Sequence, residues 1–320
     1  MAQYIIETSQ LTKTYRGTPA VDHLDLRVPE GAIYGFLGPN GAGKSTTMKM
    51  LLGLISRDGG SIRIGGTELN DRSRISILKQ VGSLIENPSY YGNLTAYENL
   101  QISCMLRELP YTEIDRVLSI VRLDGQKKKR TAHYSLGMKQ RLGLANALLG
   151  APKLVLLDEP TNGLDPAGIH EMRELIKRLP KQFGMTVMVS SHLLSEMEQT
   201  ANHIGIISGG QLIFQDAIAM LQARSTSQIY LRTSDDTGAA SLLREDETLS
   251  GLLCEKKDTN SSDSFCYFTA DGIRLPFLPD RILAQVIRSL LDHGIELYRV
   301  EEKRQNLEDI YLGMVKEAGL

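Results

Sequence analysis

Three groups of residues in this chain have the types and spacing for phosphate chemistry. The first is Gly38-Pro39-Asn40-Gly41-Ala42-Gly43-Lys44-Ser45-Thr46, which fits the pattern G-x-x-x-x-G-K-[ST]. Its glycines let backbone amides turn into one concavity, and a helix starting at Lys44 adds the positive end of its dipole. Lys44 is placed to reach β- and γ-phosphate oxygens, and the Ser45 hydroxyl to ligate Mg²⁺. The stretch from Gly38 to Thr46 therefore predicts binding of a nucleoside triphosphate.

The second group is Leu154-Val155-Leu156-Leu157-Asp158-Glu159. Four apolar residues read as a buried parallel strand with two carboxylates at its C-terminal end, where α/β sheets present their sites. Asp158 would hold Mg²⁺ directly or through water. Glu159 lies one residue further toward the γ-phosphate, where a carboxylate orients and polarises the attacking water. Taken alone, the run reads equally well as a helix cap; the phosphate loop upstream turns it toward catalysis. The third group is His192, which follows an expected strand, Met185–Val189, and the pair Ser190-Ser191. A neutral imidazole there can donate to a γ-phosphate oxygen or fix the water. His23, His133, His170, His203 and His293 have no such placement and read as ordinary surface or core residues.

The elements that must hold these groups follow from periodicity. Tyr4–Thr8, Ala32–Leu37, Lys153–Leu157 and Met185–Val189 read as strands with helical patterns between several of them, which gives an α/β class. A helix is expected over Lys44–Ile55, with Met48, Leu51, Leu52 and Ile55 on one face. Between about Leu94 and Gly150 the pattern is mostly helical. Thr95 can cap a helix through Met105, and Leu136–Leu149 forms another with Leu142, Ala145, Leu148 and Leu149 spaced for burial.

Beyond a linker at 217–226 the pattern changes. A strand is expected at Gln228–Arg232, a helix near Gly238–Arg244, and strands near Gly251–Glu255 and Phe265–Thr269. A helix Asp280–Asp292, a strand Ile295–Val300 and a last helix Leu307–Val315 follow. That β-α-β-β-α-β order is the ferredoxin-like split arrangement, in a small α+β domain over 227–320. Asp280 reads as the helix N-cap, Ile282, Leu283, Val286, Ile287, Leu290 and Leu291 as its apolar stripe, and Gly294 as its stop.

Composition narrows the class without naming a function. The chain has 320 residues, enough for two domains, with 42% hydrophobic and 23% charged residues and a net charge of −2. No broad basic surface is implied, so no nucleic-acid partner is expected, and Lys127-Lys128-Lys129-Arg130 reads as a solvated loop. Cys104, Cys254 and Cys266 are odd in number and lack metal-ligand spacing, as free thiols in a reducing cytoplasm would. No apolar run approaches the ~18–20 residues that span a bilayer, and no signal-peptide core opens the chain. A soluble protein is expected, with any membrane role exerted through a partner.

Together the motifs resemble the nucleotide-binding subunits of ABC transporters over residues 3 to 216, in the family's order. Tyr15 is similar to the aromatic that stacks on adenine, and Gly38–Ser45 to the Walker A loop. Ser135-Leu136-Gly137-Met138-Lys139-Gln140-Arg141 occupies the signature position and Leu154–Glu159 that of Walker B. Gly163-Leu164-Asp165 looks like the D-loop, and Ser191-His192 like the switch histidine. The signature, commonly Leu-Ser-Gly-Gly-Gln, reads Tyr134-Ser135-Leu136-Gly137-Met138 here, and Val81–Glu86 ends in Glu where the family usually has glutamine. These two departures, with the C-terminal extension, resemble the subgroup that exports bacitracin and lantibiotic peptides.

The resemblance implies a P-loop NTPase cassette over 1–216, a RecA-like core with an inserted helical subdomain at about 94–150. It also implies a composite site. One chain supplies Tyr15, the P-loop, Glu86 as a further Mg²⁺ ligand, Asp158, Glu159 and His192. A second copy, placed head-to-tail, supplies Ser135 and Gly137, with Asp165 in the D-loop between. The implied activity is hydrolysis of MgATP to drive export by separate permease subunits, from the inner face of the membrane. Two other readings stay open: a soluble ABC ATPase outside transport, and an importer ATPase with a regulatory tail.

Overall fold

A computed structural model describes residues 3–86, 90–223, 227–245, 267–269, 272–304 and 307–317. The chain divides into two compact units, Met1–Met220 with Tyr311–Leu320, and Leu221–Ile310.

The first unit is built on a six-stranded sheet. Its strands lie side by side in the order Gln211–Ala217, His203–Ser208, Ile33–Leu37, Thr186–Ser191, Leu154–Asp158 and Val81–Leu84. All neighbouring pairs are parallel except the first, a hairpin. Every residue of Ile33–Leu37, Leu154–Asp158 and Thr186–Ser191 is buried, as strands covered on both faces require. Tyr4–Thr8 does not join this sheet. It belongs to a longer strand, Tyr4–Tyr15, in a separate antiparallel sheet with Thr18–Leu24, Arg27–Pro29, Gly59–Ile64 and Thr67–Glu68. A short apolar run does not say which sheet it enters.

The helix after the phosphate loop spans Lys44–Leu51 rather than running to Ile55, because Gly53 turns to φ +61° just beyond it. The inserted region holds Ala96–Leu106, Thr112–Ile120 and Leu136–Ala147; the middle helix was not anticipated. Thr95 caps the first of these with Glu98 in a reciprocal capping box. Where a linker was expected, the hairpin strand continues to Ala217 and a helix follows at Ile218–Ala223, anchored by buried Leu221.

The second unit has a four-stranded antiparallel sheet in the order Tyr267–Thr269, Gly272–Pro276, Ser227–Thr233, Leu297–Arg304. With helices Asp236–Glu245 and Asp280–Asp292, the described elements run β-α-β-β-α-β. The second strand of the central hairpin is Gly272–Pro276, which sequence reasoning missed; the expected strand at Gly251–Glu255 lies outside the described residues. Ile229, Leu231, Ile273, Leu275, Val286 and Leu290 form the core of this unit. The N-cap of Asp280–Asp292 is Pro279, not Asp280, whose carboxylate sits in the first turn and favours the helix dipole instead. Gly294 stops that helix at φ +75°. The last helix, Leu307–Glu317, crosses the boundary between the two units.

Candidate functional site

Strand register brings the three chemical groups to one edge of the sheet. Leu37 pairs with Ser191, and Asp158 with Ser190, so three adjacent strands end at the same level. The residues just past those ends are Gly38, Glu159 and His192. This is where parallel α/β sheets place their ligands.

The phosphate loop is shaped by its glycines. Gly43 lies at φ +105°, and a Cβ there would collide with the Ala20 carbonyl oxygen. Gly43→Ala is therefore expected to abolish nucleotide binding, read as the loss of any thermal shift on adding MgATP. Lys44 is buried, and its Nζ donates to the carbonyl oxygens of Gly38 at 2.6 Å and Pro39 at 3.0 Å. Burial pulls its pKa below the ordinary lysine value, and the charges of Glu159 and Asp158 oppose that pull.

Glu159 stands between two cationic or donor groups. Its Oε1 lies 3.6 Å from Lys44 Nζ and its Oε2 3.3 Å from His192 Nδ1, with the residue 23% exposed. The backbone of Glu159 takes φ +46°, a left-handed value unusual for a non-glycine residue. Ser190 holds it there. The Glu159 N–H donates to Ser190 Oγ at 2.9 Å, and that hydroxyl donates to Asp158 Oδ1 at 2.6 Å. Ser190 thus fixes both carboxylate residues through one fully buried hydroxyl.

Ser190→Ala should cost about 1–3 kcal/mol, the penalty for orphaning buried partners, and lower phosphate release as well. Unfolding and phosphate release on the same preparation test this, and wild-type values in both would make the bridge immaterial. Behind it, Thr161 Oγ1 and Ser191 Oγ both donate to Glu196 Oε2, at 2.9 and 3.0 Å, tying the segment after Glu159 to the one before His192.

A cavity of about 380 Å³ opens at this point, lined by Ser45, Glu86, Leu136, Gln140, Asp158, Glu159, Asn162 and Gly163. Ser45 and buried Asp158 offer hard oxygen donors to the same space, which suits Mg²⁺. No cluster of three or more His, Cys, Asp or Glu side chains fit for a metal occurs among the described residues. An ion here would lean on a hydroxyl, one carboxylate and phosphate oxygens, as Mg²⁺ commonly does.

Glu86 also borders the cavity, at φ +60° and 66% exposed, with its Oε1 held by Lys49 Nζ at 2.5 Å. That hydrogen bond raises the Lys49 pKa. The pairing was not anticipated, since nothing in the sequence connects the exposed face of the helix at Lys49 with the segment at Glu86.

The remaining expected residues are placed as follows. Tyr15 ends its strand with a ring 48% exposed and Lys13 Nζ 5.4 Å from its centroid, outside the cavity lining. Ser135 is exposed and caps Leu136–Ala147, its Oγ accepting from the Met138 N–H at 3.3 Å. Asp165 caps Pro166–Phe183 through the Gly168 N–H at 3.1 Å. Gly137 faces Leu164.

Comparison with known proteins agrees with this geometry. The family described as ABC transporter matches residues 21–162. The bacitracin transport ATP-binding protein BcrA of Bacillus licheniformis is 39% identical, over 97% of each chain. The lantibiotic transport ATP-binding protein SrtF of Streptococcus pyogenes is 44% identical over 66% of this chain and 90% of its own. A solved ATP-binding subunit of an ABC transporter superposes with a TM-score of 0.61 at 29% identity, covering 69% of this chain and 92% of the other. With a phosphate loop, paired carboxylates and histidine at one sheet edge, and relatives matched from end to end, this chain belongs to the ATP-binding subunits of ABC transporters.

Proposed function

We propose that the chain hydrolyses MgATP in a site shared by two head-to-tail copies and so drives export of a peptide antibiotic of the bacitracin or lantibiotic kind. The observation that carries the cargo class is the extent of the likeness to BcrA, which includes the C-terminal unit and not the cassette alone. A soluble ATPase outside transport and an importer ATPase are not favoured by relatives of this type.

In this reading the phosphate loop and Tyr15 hold the nucleotide, Ser45 and Asp158 the Mg²⁺, and Glu159 the attacking water. His192 donates to the γ-phosphate, while Ser135 and Gly137 reach the nucleotide of the other copy from a helix N-terminus. The Mg²⁺ supplies charge to phosphate oxygens as negative charge shifts during transfer. Separate permease subunits form the membrane path, with this chain held at the inner face. Among the described residues no helix is long and apolar enough to cross a membrane.

Glu86 is assigned to coupling. Lys49 takes one of its oxygens, and the other would hold a metal-bound water; the next residue back, Ile85, lines a groove of about 450 Å³ with Leu54, Tyr91 and Leu106. A segment that touches both spaces can pass nucleotide state to a permease. Glu86→Gln should leave purified ATPase activity within a few-fold, because an amide oxygen still accepts, yet lower antibiotic tolerance in cells. Glu86→Ala should reduce both. Wild-type tolerance and hydrolysis in Glu86→Ala would remove the residue from coupling.

The direct test of the function is expression of the chain with its permease in a sensitive host. Tolerance to a bacitracin-like peptide that disappears with Lys44→Met is expected; tolerance that persists with Lys44→Met, or none with the intact chain, would overturn the export reading.

A further inference from the structure

The helix Leu194–Thr200 carries a side chain that reaches both catalytic segments while belonging to neither. Its base is fixed. Leu194 and Met197 are buried, and the helix and its C-terminal cap pack closely on the strand Ile33–Leu37. A Cβ at Gly35 of that strand would meet Met197 Sδ at 2.7 Å and Ala201 Cβ at 3.2 Å. The same strand runs directly into Gly38 and the phosphate loop. From this base the half-buried Glu196 offers one carboxylate oxygen, Oε2, to two hydroxyls: Thr161 Oγ1 at 2.9 Å and Ser191 Oγ at 3.0 Å. A carboxylate oxygen has lone pairs for both, and hydrogen bonds to a carboxylate are stronger than those to a neutral acceptor.

The two donors flank the reacting groups. Thr161 follows Glu159 by two residues, in a turn where the Asn162 N–H donates to the Glu159 carbonyl oxygen at 3.1 Å. Ser191 immediately precedes His192, and its Oγ also accepts from the Leu193 N–H at 3.0 Å, so one hydroxyl brackets the histidine. The other acceptor near that hydroxyl, the Leu193 carbonyl oxygen, is further away at 3.4 Å. Ser190 ties Glu159 to Asp158, whereas the contacts through Glu196 tie it to His192.

We propose that Glu196 is a positioning residue for hydrolysis. By holding Thr161 and Ser191 on one oxygen, from a helix seated on the phosphate-loop strand, it sets the 3.3 Å spacing between the Glu159 carboxylate and the His192 imidazole. It acts through the two hydroxyls and not on the nucleotide. This rests on the proposed roles of Glu159 and His192.

Glu196→Leu removes the acceptor without opening a hole. It should lower kcat about 10-fold, because misplacing reacting groups by an ångström costs up to about 10²-fold. The nucleotide Kd should change less than about two-fold, since the phosphate loop is untouched. Glu196→Gln presents a neutral oxygen at the same reach and should recover most of the loss, to within about three-fold of wild type. Thr161→Val combined with Ser191→Ala removes both donors and leaves the acceptor. That pair should lower kcat at least as far as Glu196→Leu does, and adding Glu196→Leu to it should lower kcat no further. A merely structural role would lower the melting temperature and leave the kcat of the folded protein unchanged.

Wild-type kcat in folded Glu196→Leu, no recovery in Glu196→Gln, or a further drop when all three substitutions are combined would overturn the proposal. Should Glu196→Leu not fold, Thr161→Val with Ser191→Ala is read by the same kcat and Kd criteria. Glu159→Gln assayed alongside separates the claims. Wild-type turnover there overturns the catalytic reading and this proposal together, whereas lost turnover there with unchanged kcat in Glu196→Leu overturns this proposal only.

Discussion

Glu159→Gln is expected to keep MgATP binding and lose phosphate release by about 10²–10⁴-fold, the usual contribution of a positioned general base. The amide keeps the shape of the side chain and its contacts with Lys44 and His192, which lie 3.6 and 3.3 Å from the carboxylate oxygens. It cannot take a proton from water. The backbone arrangement should survive, because Ser190 holds residue 159 through its N–H and not its side chain. Phosphate release, measured with nucleotide affinity on the same protein, decides the matter. Turnover at the wild-type rate would remove Glu159 from catalysis and pass the role to another proton acceptor at the sheet edge.

The second large effect is Lys44→Met. Lys44 Nζ is the one buried cation of the phosphate loop, closing it over the carbonyls of Gly38 and Pro39. Loss of a buried charged contact to phosphate should weaken nucleotide binding by about 10²-fold or more. The free protein should not suffer in the same way. Burial lowers the Lys44 pKa, which means the fold disfavours its charge, so an uncharged side chain of similar length relieves that penalty. The expected pattern is a melting temperature without nucleotide that holds or rises, together with loss of the shift produced by MgATP. An undiminished MgATP shift in Lys44→Met would show that the loop does not grip phosphate through this residue.

Much of the candidate site's placement was legible in the sequence because it is local. The phosphate loop needs glycines, a lysine and a hydroxyl at fixed spacing, and the buried strand at Leu154 announces where Asp158 must emerge. Helix Asp280–Asp292 was also legible, since its apolar stripe and Gly294 lie within one window. What could not be read depends on strand pairing. Ser190 matters because it lies opposite Asp158 in a neighbouring strand, and one sequence does not say which strands are neighbours. The Lys49–Glu86 pair joins residues 37 positions apart in the same way.

Gln140 lies in the stretch that occupies the signature position, yet nothing in the sequence marks its burial or the side-chain oxygen that lacks a partner among the described residues. The strand Gly272–Pro276 was not anticipated; glycine and proline, which punctuate turns, bound its five residues. The closing helix was assigned with the tail, yet Tyr311–Leu320 groups with the cassette. A chain cut near residue 226 therefore loses part of the first unit as well as the second.

The central claim is a site completed by a second copy. It is tested most directly by the mass in solution of Glu159→Gln, measured by light scattering with and without MgATP. ATP should act as the adhesive between two surfaces and persist when it cannot be hydrolysed. The account predicts a mass of two chains with MgATP and one chain without it, and a return to one chain when Ser135→Arg is added to the same protein. A single-chain mass at saturating MgATP, or a two-chain mass that Ser135→Arg leaves intact, would contradict it.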